Sequence, residues 1–278
     1  MSDPRVTLAR DGLAAASLEG VVPAERYLPT TAWQASAPVA AIRRHPARDA
    51  EQLDQLVFGE VFEGLEERGG FVFGQATRDG YVGWVDVEAL SAPVFAPSHR
   101  VAALRTYAFS KPDLKSAPVG LLSLNALATV EDRSGRFVRA ARIGWLVEGH
   151  LAPVGAAFEA DAAAVALRFL HAPYLWGGRE SLGLDCSGLV QQALYACGRA
   201  CPRDADQQQA LGAPLADPGE LRRNDLVFWR GHVGVMLDAE TLLHANGFHM
   251  AVAAEPLAEA VARIEAAGGG PVTAMRRL

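Results

Sequence analysis

LGLDCSGLVQQAL, residues 182–194, sets a cysteine between an aspartate and a serine where a helix begins. Leu189, Val190, Ala193, Leu194 and Cys197 recur at offsets that share one helix face. The helix therefore starts near Asp185 or Cys186. A thiol at that point meets unpaired backbone N–H groups and the positive end of the helix dipole. Both favour the thiolate, the nucleophilic form. The same N–H groups can hold an oxyanion on an attacked carbonyl. Three roles are open for Cys186: a small packed hydrophobe, a metal ligand or a nucleophile.

A thiolate nucleophile needs an imidazole, and the chain has 7 histidines. DLVFW (225–229), HVGVML (232–237) and TLLHA (241–245) read as short strands with turn residues between them. His232 and His244 lie on two of them. A three-residue loop at Asp238–Glu240 sets His244 opposite Gly234 and puts both imidazoles on one face as diagonal neighbours. A two-residue loop sends them to opposite faces. In the first case one ring can act as base and the other can orient it. Upstream, FEADAAAVALRFL (158–170) has acidic residues ahead of an apolar run, the pattern of a helix start. Downstream, PLAEAVARIEAAGGG (256–270) is a helix stopped by glycines, and PVTAMRRL (271–278) is a closing strand. Residues 155–278 thus read as α+β, helices first and then an antiparallel sheet.

The preceding residues have a different texture. GFVFGQA (70–76), GYVGWVDVEAL (80–90), VAALRTYAF (101–109) and RFVRAARIGWLV (136–147) are strand candidates broken by Gly, Pro, Asp and Ser. GWVDVEAL (83–90) and GWLVEGHL (144–151) repeat Gly, Trp and a final Leu at matching offsets. The reading is two small β-barrels, 38–92 and 93–154; a single irregular β domain with a chance repeat is the alternative. Residues 1–37, with a short helix at DGLAAASLEG (11–20), are expected to wrap rather than form a domain.

Half of the residues are hydrophobic and 21% are charged, with a net charge of −6. This acidic balance, without Lys/Arg runs, argues against a nucleic-acid footprint. No stretch is long and apolar enough to cross a membrane. Three cysteines, Cys186, Cys197 and Cys201, make no disulfide framework and point to a reducing compartment. The first residues lack a secretory pattern, so a cytoplasmic location is expected. No CxxC pair or matching His set suggests zinc, and no metal or organic cofactor is expected.

YLWGG (174–178), LDCSGLVQ (184–191), PRDADQQ (202–208), DLVFW, HVGVM and LLHANG (242–247) occur in an order and spacing that resemble the NlpC/P60 family of cysteine peptidases. The two β repeats resemble bacterial SH3-like domains. The resemblance implies two small SH3-like barrels followed by a papain-like α+β catalytic domain. It implies Cys186 as nucleophile, His232 as general base and His244 as orienting residue, with Tyr174 near the oxyanion. It also implies Asp185, Ser187 and Asp204 around a γ-D-Glu site, where Ala205 replaces a serine common in the family. Glu60 and Tyr81 are candidates for a clamp on a free amine. Arg203 is either a substrate-carboxylate anchor or a structural ion-pair partner.

The layout resembles family members that cleave between γ-D-glutamate and a diamino acid, either diaminopimelate or lysine, in murein-derived peptides with a free N-terminal L-Ala. Such an activity belongs to cell-wall peptide recycling. Two other functions are weighed against it: a non-catalytic murein-peptide binder or sensor, and a Cys-His amidase or acyltransferase acting on another amide.

Overall fold

Gly83–Trp84 and Gly144–Trp145 occupy the same place in two copies of one β pattern. In the computed structural model, which describes residues 3–278, the strand Val82–Asp86 runs into a 3-10 turn at Val87–Ala89 and a short strand Leu90–Ser91. The second copy repeats this as Gly144–Val147, Glu148–His150 and Leu151–Pro153. Trp84 pairs with Arg43, the last residue of the strand Val39–Arg43, and Trp145 pairs with Phe109, the last residue of Arg105–Phe109. The glycines are dictated by space and backbone. A Cβ on Gly83 would lie 2.5 Å from Ile42, and Gly144 has φ +105° with Phe109 O 2.6 Å from such a Cβ.

These residues belong to the first of two units, which divide at Ala156/Ala157. In the first copy a seven-stranded sheet closes around Ile42, Leu56, Phe62, Val72 and Val85. Each such side chain contributes about 1.5–3 kcal/mol by leaving water. The second copy combines a five-stranded and a three-stranded sheet around Val101, Leu122, Val138 and Leu146.

The N-terminal segment differs from its expected form in two ways. Residues 11–20 are not helical: Leu13–Ala15 is a strand and Ala16–Leu18 a single 3-10 turn. Asp11 and Gly12 both have positive φ and reverse the chain there, so Leu13 pairs back onto Arg10. Leu8, Leu13 and Ala15 then bury against Phe71, Phe73 and Trp84, a gain that a lone short helix cannot match. Thr31–Ala35 pairs with residues 61–64 of the first barrel, so that barrel begins before residue 38.

In the second unit an antiparallel sheet has the order Ala213–Pro214, Ala274–Arg277, Leu226–Trp229, His232–Met236, Thr241–Asn246, Ala251–Pro256. Helices Ala162–Leu167 and Cys186–Ala196 pack against its central strands. Asp161 caps the first, accepting the Ala164 N–H at 3.1 Å. All 11 residues of the second are buried, not one face only. Its polar Gln191 is satisfied by Arg179 (3.4 Å) and by the Cys201 carbonyl (3.3 Å), as burial requires. Leu257–Ala266 is the glycine-stopped helix, with Ala260 buried beside Trp229, Met236 and Leu242. No helix among the described residues is long and apolar enough to cross a membrane.

Candidate active site

The start of the helix Cys186–Ala196 is held by a buried polar knot. Asp185 is its N-cap: one carboxylate oxygen accepts the Gly188 N–H at 2.8 Å and the other accepts the Gly177 N–H at 2.9 Å. Arg203 donates to both oxygens, at 3.0 and 2.6 Å, and to the Ser187 hydroxyl at 2.8 Å. The Ser187 hydroxyl in turn donates to Asp185 at 3.1 Å. Arg203 is only 1% exposed. Of the two roles open to Arg203, the structure therefore shows the ion pair. Asp185 and Ser187 are committed to the same knot, which fixes the helix start and so the direction of the Cys186 side chain. Asp204, half-buried, begins the short helix Ala205–Gln208 and donates its N–H to Gln207 Oε1 at 3.4 Å.

The Cys186 thiol donates to the Gly231 carbonyl at 4.0 Å, and the nearby backbone N–H groups of Val233 and Ser187 favour its ionised form. The thiol thus touches the residues on both sides of His232. Burial, and then the Asp185 carboxylate, push it up to about 12. This differs from the thiolate expected at a helix start. The helix N–H groups act as anticipated, but a desolvated site beside a carboxylate outweighs them. Burial thus favours the neutral thiol over the thiolate at Cys186.

His232 and His244 share one sheet face. Val235 pairs with Leu243 and Leu237 N–H bonds to Thr241 O, leaving a three-residue loop, so His244 falls opposite Gly234. A Cβ on Gly234 would sit 3.2 Å from that of His244. His232 Nε2 and His244 Nδ1 are 2.8 Å apart. His244, fully buried, continues the chain through Nε2 to Glu255 Oε1 at 2.7 Å. Glu255 also pairs with Arg263.

The acceptor at the end sets every tautomer. A carboxylate can only accept, so His244 carries its proton on Nε2 and offers Nδ1 as acceptor. His232 therefore donates from Nε2 and keeps a lone pair on Nδ1. That nitrogen is free to accept a proton. Burial, then the neighbouring charges of His244 and Arg263, lower His232 to about 3. Burial also lowers His244, with Glu255 pulling it back up. Burial alone would raise Glu255, but the hydrogen bonds and charges of His244 and Arg263 carry it below the ordinary carboxylate range. Glu255 has no local signal of its own in AVAAEP (251–256), a strand with a single β-branched residue. Its signal is tertiary: His244 pairs with Ala253 across the ladder, which brings Glu255 onto the same face two residues on.

Tyr174, His232 and His244 line one cleft of about 290 Å³. Burial, followed by the charges of Cys186 and Asp185, raises Tyr174 and keeps its hydroxyl protonated as a donor. Among the described residues, His244, His249 and Glu255 have ligand atoms within 4.8 Å of one another. Arg263 on Glu255 competes with a cation there, and His249 Nδ1 meets Asn246 Oδ1 at 3.0 Å.

In the first unit, Glu60 is 1% exposed; its carboxylate accepts the Val57 N–H at 3.1 Å and pairs with Arg78 at 2.8 Å. The free acid expected for an amine clamp is thus a buried ion-pair partner. Tyr81 is buried at a cleft lined by Arg5, Arg10, Arg43 and Arg44 with Asp11 as its single carboxylate among the described residues, and that carboxylate is already paired with Arg10.

A family model described as NlpC/P60 family matches residues 171–265, and one described as bacterial dipeptidyl-peptidase Sh3 domain matches residues 42–90. The chain is 33% identical over 90 residues to dipeptidyl-peptidase 6 of Lysinibacillus sphaericus, which is 32% of this chain and 33% of that protein. It is 29% identical over 214 residues to gamma-D-glutamyl-L-lysine dipeptidyl-peptidase of Bacillus subtilis strain 168, covering 69% of this chain and 71% of the relative. The match thus spans a third of the first relative's length and under three quarters of the second's. The fold is shared with an NlpC/P60 family protein from Bacillus cereus ATCC 10987, at TM-score 0.74 and 17% identity over 89% of this chain and 99% of that one. With a thiol at a helix start, two bonded imidazoles on the facing sheet and both matches in sequence order, this chain carries a bacterial dipeptidyl-peptidase SH3 domain followed by a domain of the NlpC/P60 family of cysteine peptidases.

Proposed function

We propose that the chain hydrolyses the bond between γ-D-glutamate and a diamino acid in murein-derived peptides, with L-Ala at a free N-terminus. The observation that carries this is the continuous hydrogen-bonded row His232–His244–Glu255 beginning beside the Cys186 thiol. The name of the Bacillus subtilis relative supports the bond; the geometry supports the chemistry.

The steps follow from the proton positions. Cys186 gives its proton to His232 Nδ1 as the sulfur attacks the γ-carbonyl carbon. With the thiol raised and the imidazole lowered, transfer and attack belong to one event, with no stored ion pair beforehand. The oxyanion is met by N–H groups of the helix start and by the Tyr174 hydroxyl. His232, now an imidazolium, protonates the departing amine of the diamino acid. Water then gives a proton to His232 and its hydroxide to the acyl carbon; the carbon–sulfur bond breaks, L-Ala-γ-D-Glu leaves, and His232 returns the proton to the Cys186 sulfur. His244 and Glu255 stabilise the transient positive charge across the row.

Mass spectrometry of products from a panel of murein peptides tests the bond. Release of L-Ala-γ-D-Glu by the native protein, lost in Cys186→Ala, is the expected result. Products cut elsewhere, or turnover retained in that variant, sink it. Comparison of free-amine and N-acetylated peptides tests the N-terminal requirement, since equal rates remove it. A cytoplasmic place in wall-peptide recycling belongs to the same proposal and is tested by cell fractionation.

A further inference from the structure

We infer that the cleft beside His232 is the subsite for the leaving diamino acid, and that Arg230 makes it selective for a side chain ending in a carboxylate. The diamino acid is then of the diaminopimelate type rather than lysine. This rests on the proposed bond.

The side of the cleft follows from the chemistry. The imidazole that takes the thiol proton must pass it to the leaving nitrogen, so the leaving residue lies over His232. His232 lines the 290 Å³ cleft together with Trp229, Phe248 and Ile264, which suit the methylene stem of a diamino acid. The charged lining consists of Arg230 and Arg263, with no aspartate or glutamate. Arg263 is shared: it pairs with Glu255 and lies 4.4 Å over the Phe248 ring. Arg230 is exposed, between the strands Leu226–Trp229 and His232–Met236, and makes no ion pair among the described residues. It is the cation left for a ligand. A lysine side chain brings only an ammonium into this cleft, against like charge. A diaminopimelate side chain brings an ammonium and a carboxylate, and guanidinium binds carboxylate in a matched fork.

The test pairs cleavage with binding. Tripeptides L-Ala-γ-D-Glu-diaminopimelate and L-Ala-γ-D-Glu-Lys are compared by kcat/KM on the native chain, Arg230→Gln and Arg230→Glu. Their binding to Cys186→Ala, with and without Arg230→Gln, is measured by calorimetry. An exposed arginine pair supports a preference of about fivefold or more for the diaminopimelate peptide. The ratio falls to about one in Arg230→Gln and inverts in Arg230→Glu. A native ratio at or below one, or a ratio unmoved by either variant, overturns the inference. So does an equal loss on both peptides that vanishes when the C-terminus is amidated, because Arg230 then reads the main-chain carboxylate. Selective binding to Cys186→Ala without cleavage by the native chain upholds the subsite and sinks the proposed bond. Cleavage of both peptides with no selectivity does the reverse.

Discussion

Replacing Glu255 with alanine removes the group that sets the proton positions in the row. His244 is fully buried and donates to Glu255 at 2.7 Å. Without that acceptor its Nε2–H is left unpaired, or the proton moves to Nδ1 and faces His232. His232 must then accept at Nε2 and carry its proton on Nδ1, the nitrogen needed as base. A hydrogen bond to a charged group contributes about 1.5–3 kcal/mol. At 1.36 kcal/mol per decade this lowers kcat by about 10- to 150-fold. Glu255→Gln keeps an acceptor and loses the charge, so its loss is smaller, of the order of tenfold. KM moves little in either variant, because Glu255 lies two hydrogen bonds behind the base. The assay is steady-state hydrolysis of a γ-D-glutamyl tripeptide, with 15N NMR of the imidazoles reporting the tautomers. A folded Glu255→Ala protein with kcat within twofold of native, or with His232 still protonated at Nε2, refutes the reasoning.

Other consequences are open to measurement. With its thiol at about 12 against an ordinary 9.0, Cys186 reacts with iodoacetamide at pH 7 roughly 100- to 1000-fold more slowly than a free thiol; complete labelling at the free-thiol rate, followed by mass spectrometry, contradicts the neutral resting state. His232 refuses a proton down to about pH 3 when folded but takes one near 6.5 when unfolded. Below pH 6.5 the unfolded chain therefore binds the extra proton, and stability falls with pH by up to about 1.4 kcal/mol per unit for this residue. Urea unfolding of native and His232→Asn between pH 6.5 and 4 should show a slope smaller by about one proton in the variant; equal slopes count against the burial argument. The same lowered histidine puts the acid limb of kcat/KM well below 6.5. Arg203→Met leaves the Asp185 carboxylate buried without its counter-charge and costs about 3–5 kcal/mol in unfolding free energy; a cost under about 1 kcal/mol means the knot is not needed to hold the helix start.

Much of the site was legible because its signals are local. Asp185 and Cys186 announce a helix start within a few residues. The Asp238–Glu240 loop sets strand register by its length alone, and register decides that His232 and His244 share a face. The Gly-Trp repeat was readable for a similar reason, since each glycine answers a steric demand within its own copy. The residues 11–20 misled because alanine-rich sequence favours a helix when considered alone, whereas burial against Phe71 and Trp84 favours a strand.

The sequence by itself determined the α+β class of the second unit, the helix start at Cys186 and the register that puts His232 and His244 on one face, because periodicity, capping and turn length act over a few residues. Only tertiary structure decided what those groups are worth. It brought Glu255 behind His244 from a third strand and closed Arg203 over Asp185. It buried Glu60 against Arg78 and desolvated the thiol. Charge pairing and burial depend on which distant side chains meet and how much water they exclude, and no short stretch of sequence carries that information.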